Sequence, residues 1–416
     1  MTDTAAADAA VTDVAVIGFA QARSERHSQC TTSGVEMLVP IFHEVFEATG
    51  LTKNDIGFWC SGSSDYLAGR AFSFVSAVDA IGAFPPVMES HVEMDGAWAL
   101  YEAWVKLLTG EADIALAYGF GKSSAGQLRR VLALQLDPYL LAPLWPDSVS
   151  IAALQARLGI EAGLWTEADM ARVAVRSRAS ALTNPRSLAA EQVPVEFLLD
   201  QPYVANPLRA HDCAPVTDGA AVVILAAGDR ARELCDRPAW ITGFEHRIDS
   251  AAIGARDLTT APSATAAAAA AAGHAATAAA AAAAGHAAAA GHPAAAGHPA
   301  AAGHAATARA AAGQPTSAGH EATGYAAGPT RVQVAELHAP FTHQEIILRR
   351  ALGLADQVTI NPSGGALTGN PMFAAGLARI GCAAAEIISG RADAALGHAT
   401  SGPALQQNLV CLLEAR

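Results

Sequence analysis

Positive charge is scarce in this sequence. Its 26 Lys and Arg stand against 39 Asp and Glu, giving a net charge of −13 at pH 7, and no run of Lys or Arg occurs. Nucleic acid and anionic membrane attract proteins through clustered positive charge, so neither is expected as a partner. Cysteine is sparser still: Cys30, Cys60, Cys213, Cys235, Cys382 and Cys411 are scattered, with no C-x-x-C pair. In a chain of 416 residues this argues for reduced thiols rather than a disulfide frame or zinc site, and no metal centre is expected. The opening Met1-Thr2-Asp3-Thr4-Ala5 has acid where a secretory signal carries base, which makes the cytoplasm the expected compartment.

A long apolar run is missing too, although one stretch imitates it. From Pro262 to Gly328 the chain is nearly all Ala, broken by Gly-His at His274, His286, His292, His298, His304 and His320. Alanine is weakly apolar and these breaks prevent a continuous span of about 20 residues, so no membrane crossing is expected. Ala favours helix while Gly and Pro interrupt it, so residues 262–328 read as a low-complexity insertion of short helical pieces or disorder on the surface. Its histidines are read as repeat expansion rather than ligands.

What the chain does contain is ample apolar content, 52% of residues, and an internal echo. Leu108-Thr109-Gly110-Glu111-Ala112-Asp113-Ile114-Ala115-Leu116 returns as Ile388-Ser389-Gly390-Arg391-Ala392-Asp393-Ala394-Ala395-Leu396, and the same offset pairs Gly96 with Gly376. Two matching helix–Gly–strand units predict one folding unit used twice. Val14–Phe19, Ile56–Cys60, Ile114–Tyr118 and Asp218–Leu225 read as buried strands; Val35–Thr49 and Ala97–Leu108 read as helices stopped by Gly50 and Gly110. The alternation predicts an α/β fold with a largely parallel sheet covered on both faces. Residues 122–205 break that rhythm with aromatics, prolines and a helical run at Thr166–Leu182, and read as a cap inserted over a site.

Three segments carry a resemblance. Asp212-Cys213-Ala214-Pro215-Val216-Thr217-Asp218-Gly219-Ala220-Ala221, Glu336-Leu337-His338-Ala339-Pro340-Phe341 and Asn361-Pro362-Ser363-Gly364-Gly365-Ala366-Leu367-Thr368-Gly369-Asn370-Pro371 together resemble the thiolase superfamily, above all its sterol-carrier-protein-type or lipid-transfer members. The resemblance implies two duplicated βαβαβαββ halves in a layered αβαβα arrangement, with an inserted loop domain. Those halves would be 12–237 and 238–416. It also implies a homodimer and a coenzyme A thioester as substrate, with no other cofactor.

The chemistry implied by the family is altered here. The nucleophilic cysteine of the family lies three residues before the glycine that Gly96 matches, and that position is Glu93. A carboxylate is no substitute for a thiolate, so Glu93 is either a general base or a polar residue at a helix start. The family histidine that activates the thiol corresponds to Asn370, able to donate to an oxyanion or to cap a helix. Where a second cysteine is expected the chain has His398, a candidate acid/base or a satisfied core histidine. His338 keeps the family's oxyanion-hole place, although the Asp that follows it in the family is Ala339. Ser363, Gly364, Gly365 and Gly369 are expected to contact substrate, since small residues let backbone approach a ligand. Cys213, Cys382 and Cys411 read as core, leaving Cys60 as the thiol to test.

Three functions are open on this reading. The first is retro-aldol cleavage of a β-hydroxyacyl-CoA in lipid or steroid catabolism, working with an OB-fold/zinc-ribbon partner as some cysteine-less relatives do. The second is an acetyl-CoA C-acetyltransferase, which needs a cysteine at position 93. The third is a non-catalytic acyl-CoA or lipid binder or scaffold subunit.

Overall fold

The computed structural model describes residues 13–290 and 331–416, apart from 32, 66–71, 83 and 140. The Gly-His repeats of 291–328 therefore lie outside the described residues. In chain order the strands are β1 (Val14–Gln21), β2 (Phe58–Gly62), β3 (Glu89–Val92), β4 (Ile114–Lys122), β5 (Tyr203–Ala205), β6 (Leu208–Arg209), β7 (Asp218–Ala227), β8 (Ala239–Ile248), β9 (Val334–Leu337), β10 (Thr359–Ile360), β11 (Ala394–Ser401) and β12 (Gln407–Glu414). All but β5 and β6 join one sheet in the order β10-β9-β11-β12-β8-β1-β7-β4-β2-β3.

That order is a palindrome about the β1–β8 pair. On one side β1 is antiparallel to β7, β7 antiparallel to β4, and β4, β2 and β3 are parallel. On the other side β8, β12, β11, β9 and β10 repeat the same directions. The internal echo is thus a structural duplication. Its helix Gly96–Leu108 ends at Gly110 with φ 71°, and its helix Ala375–Ile388 ends at Gly390 with φ 75°. A left-handed residue after the last turn releases the chain into the next strand, and glycine adopts it without a Cβ penalty. The expected largely parallel sheet is corrected to a mixed one. β7 and β12 run against both neighbours, and an apolar run carries no mark of strand direction.

Burial divides the molecule into five layers. The helices Gly96–Leu108 and Ala375–Ile388 form the middle layer, packed with Val16, Val223, Phe244 and Leu409 from both halves of the sheet. The outer face of the first half is covered by Val35–Thr49, Ser73–Ile81 and Gly228–Leu234, and that of the second by Pro262–Ala290 and Thr342–Ala351.

Part of the Ala-rich stretch thus belongs to the core, against the expectation of surface pieces. Pro262–Ala290 is one helix, unbroken at Gly273-His274, and Ala264, Ala267 and Ala271 are fully buried against β8 and β12. A Cβ on Gly243 of β8 would sit 2.1 Å from the Ala271 carbonyl oxygen, so a glycine under alanines gives very close helix–sheet contact. Among the described residues no helix is long and apolar enough to cross a membrane.

Candidate active site

A cavity of about 780 Å³ opens at the carboxyl ends of β3, β9 and β11. Sites in open α/β sheets gather at such strand ends. The helical segment between β4 and β7 roofs it with Leu128, Leu132, Ile151, Ala152 and Ala174, and Arg26, Arg129 and Arg178 also contribute to the wall. Glu93 and Asp95 from the turn after β3, His338 from the end of β9 and Asn370 from the loop before the second central helix all reach it. The residue pair on which the sequence reading depends, Glu93 and Asn370, therefore shares one cavity.

Asp95 organises this floor. It is the N-cap of Gly96–Leu108, its Oδ1 accepting from Ala97 N at 2.9 Å, and it also accepts from Gly376 N at 3.0 Å and Leu377 N at 2.9 Å. One buried carboxylate therefore satisfies the orphan N–H groups of both central helices, and the two positive helix ends converge on it. The loop carrying Asn370 is held by the same join: Gly96 N donates to the Phe373 carbonyl at 2.8 Å. A Cβ on Gly119 would lie 2.1 Å from that carbonyl oxygen, which is why β4 has glycine there.

His338 is nearly buried, and Thr400 N donates to its Nδ1 at 3.4 Å. Its Nε2 lies 2.9 Å from Asn370 Oδ1, so the neutral Nε2–H tautomer satisfies both contacts. Burial holds its pKa below the usual imidazole value, opposed by the nearby Asp95 carboxylate and the Asn370 contact. Because Asn370 Oδ1 takes the ring N–H, the Asn370 amide is left with its NH₂ as donor. Asn370 N itself donates to Thr217 Oγ1 at 2.9 Å. Glu93 is half-exposed, with Oε1 accepting from Asp65 N at 2.8 Å and Oε2 lying 3.5 Å from His91 Nε2.

No protein-family model matches the chain. It is 31% identical over 179 residues to an acetyl-CoA acetyltransferase of Methanothermobacter thermautotrophicus, covering 42% of this chain and 47% of that protein. It is 30% identical over 150 residues to the 17-hydroxy-3-oxo-4-pregnene-20-carboxyl-CoA lyase of Mycobacterium tuberculosis, covering 33% and 39%. The chain thus spans about half or less of the length of these relatives. Among solved structures, an Ltp2-ChsH2(DUF35) aldolase superposes with a TM-score of 0.69 at 15% identity over 97% of this chain and 98% of that one. Human mitochondrial 3-ketoacyl-CoA thiolase with CoA gives 0.67 at 14%, covering 98% of each chain. The chain has the thiolase fold.

Within this thiolase scaffold other expected site residues stand elsewhere. His398 is fully buried and is not part of the cavity wall. Its Nε2–H donates to Asn408 Oδ1 at 3.0 Å, and burial pushes its pKa down to about 3, so it is a neutral core imidazole. Ser363 is turned to the buried Glu336–Arg379 pair, its hydroxyl donating to Glu336 Oε2 at 2.7 Å. Gly364 lies under Thr368, Gly365 under Asn361 and Gly369 under Ser24. These four do not line the cavity but shape the loop whose Leu367, Thr368 and Asn370 do.

The cysteines also change places. Cys60 is fully buried, its thiol pushed up to about 12 by burial with help from Glu89 and Glu102. Cys213, expected in the core, lines the cavity, but burial and Asp212 push it up to about 12 as well, so it is a thiol and not a thiolate at neutral pH. Asp95 and His211 also line the cavity and carry no motif that singles them out in the sequence. His211 Nε2 lies 3.6 Å from Asp212 Oδ2. The only written signal for Asp95 was its place one residue before the duplicated Gly96.

Proposed function

We propose that this thiolase-fold protein cleaves a β-hydroxyacyl-CoA by retro-aldol chemistry. The observation that carries the reading is one cavity offering the Glu93 carboxylate, the Asn370 amide held by neutral His338, and no acidic thiol. Glu93 removes the β-hydroxyl proton, the Cα–Cβ bond breaks, and the electron pair passes to Cα as the thioester enolate. The products are a carbonyl compound and, after protonation at Cα, a shortened acyl-CoA. Asn370 donates to the thioester oxygen as negative charge grows there.

The lyase and aldolase names among the relatives support this chemistry, and the mostly apolar roof suits an acyl chain. The aldolase with the similar fold joins two components, Ltp2 and ChsH2(DUF35), which supports the expectation of a partner subunit, here an OB-fold/zinc-ribbon protein. Homodimerisation is supported by β3 at the sheet edge, with Phe72, Phe84 and Met88 exposed in the segment leading into it.

The test is incubation of the chain, alone and with its co-purified partner, against β-hydroxyacyl-CoA thioesters, with both products followed by mass spectrometry. Carbonyl release that falls about 10²- to 10⁴-fold in Glu93→Gln is expected of a lost proton acceptor. The acetyltransferase reading, favoured by the archaeal relatives' names, requires a burst of covalent acyl-enzyme. Observing that burst without carbonyl release would overturn the proposal.

A further inference from the structure

Beside the cavity mouth, three acceptor groups converge on one point. Asp65, His91 and Glu93 each offer a ligand atom, and these atoms lie within 4.8 Å of one another. They come from the loop after β2, from β3 itself and from the residue just past its end. The parallel register sets Ser61 opposite His91, and Ser61 Oγ lies 3.2 Å from His91 Nδ1. Ser61 Oγ gives its single proton to Glu89 Oε1 at 2.9 Å, so it can only accept from Nδ1–H. That relay leaves the Nε2 lone pair facing the two carboxylates. Phe74 stacks on the imidazole at 4.7 Å and 15°, holding the ring from its face.

Asp65 is likewise fixed: its Oδ2 accepts from Phe72 N and its Oδ1 from Ser73 N, both at 2.8 Å. Each oxygen keeps a second lone pair. An oriented imidazole whose distal nitrogen is backed by a hydroxyl–carboxylate relay is the outer-shell arrangement that prepares histidine for a metal.

The geometry points to a divalent transition-metal site made by Asp65, His91 and Glu93. One imidazole and two carboxylates suit zinc, cobalt or manganese. Bonds of about 2.1 Å require ligand atoms about 3.4 Å apart, so the half-exposed Glu93 and its neighbours close inward by about 1 Å. Three protein ligands leave a coordination position open, and Glu93 is also part of the cavity wall. The site is independent of the retro-aldol reading and is read without any thioester. Where both hold, Glu93 would be metal-bound in the loaded protein and free to take a proton only in the metal-free one.

The Gly-His repeats offer competing imidazoles, so the parent for the test is the full chain with His286, His292, His298, His304 and His320 replaced by Ala. After chelator dialysis it is titrated with Co²⁺, followed by visible absorption, and with Zn²⁺ by calorimetry. One equivalent per chain is expected. His91→Ala and Asp65→Asn should each weaken binding by at least about 10-fold, and Ser61→Ala by about 10-fold through the relay. Circular dichroism of the metal-free variants checks that they fold. Absence of binding by the folded parent, or equal affinity in folded His91→Ala and Asp65→Asn, would overturn the site.

Discussion

Replacing Asp95 by alanine strikes both halves of the molecule at once. An ordinary N-cap loss costs about 1 kcal/mol, because one or two amides at a single helix end lose their acceptor. Asp95 accepts three N–H bonds, from Ala97, Gly376 and Leu377, and is only 6% exposed, so water does not readily replace it. At about 1 kcal/mol or more for each donor left unsatisfied, Asp95→Ala should lose about 3 kcal/mol. Asp147 is the internal comparison: it caps Ser148–Glu161 through Ser150 N and pairs with the exposed Arg129, and Asp147→Ala should lose about 1 kcal/mol. Asp95→Asn keeps an oxygen for Ala97 and Leu377 and turns an amide toward Gly376, so it should fall between the two. Urea unfolding followed by circular dichroism measures all three against the parent chain. If Asp95→Ala costs no more than Asp147→Ala, one carboxylate does not hold the two central helices together and the account of the floor fails.

Two further outcomes are expected. His343 and His398 are buried imidazoles held at a pKa of about 3, against an unfolded value of about 6.5, so their contribution is complete above pH 6.5 and declines as pH falls toward 3. At pH 5 each should have lost about 2 kcal/mol of stability, and His398→Gln should make the decline between pH 7 and 5 shallower by about that amount; an unchanged slope in urea titrations contradicts the assignment. Gly243→Ala drives a methyl toward the Ala271 carbonyl and should destabilise by about 1–3 kcal/mol, while Gly254→Ala, with open space around it, should cost little; equal thermal shifts would mean the alanine helix is not seated on β8.

Much of this fold was legible because its punctuation is local. Gly50, Gly110 and Gly390 end helices wherever they stand, and Val35–Thr49 begins and stops at the residues expected. Strand direction was not legible, since β7 and β12 are apolar runs like their neighbours. Hydropathy misjudged Pro262–Ala290 because a core face needs small side chains as much as greasy ones when the opposite surface is a strand glycine. At the site, Glu93, Asn370 and His338 were singled out by the correspondence that the thiolase resemblance implies, and all three line the cavity. His398 could not be placed, because strand position does not reveal whether a side chain meets the cavity or Asn408. Asp95 escaped notice because its partners lie 281 and 282 positions away.

The alanine helix carries one more implication, for how such a stretch can change length. Ser263 is tied to Asp249, Gln406 and Asn408, and Thr265 to the Ala351 carbonyl, so the phase of the helix is set at its first turn. Each added residue rotates the remaining turns by about 100°. Among the seven alanines from Ala266 to Ala272, however, a slipped copy places another methyl where a methyl was. Replication errors there would leave the alanine-covered surface unaltered and would register from Gly273 onward, with His274 swinging away from Glu245.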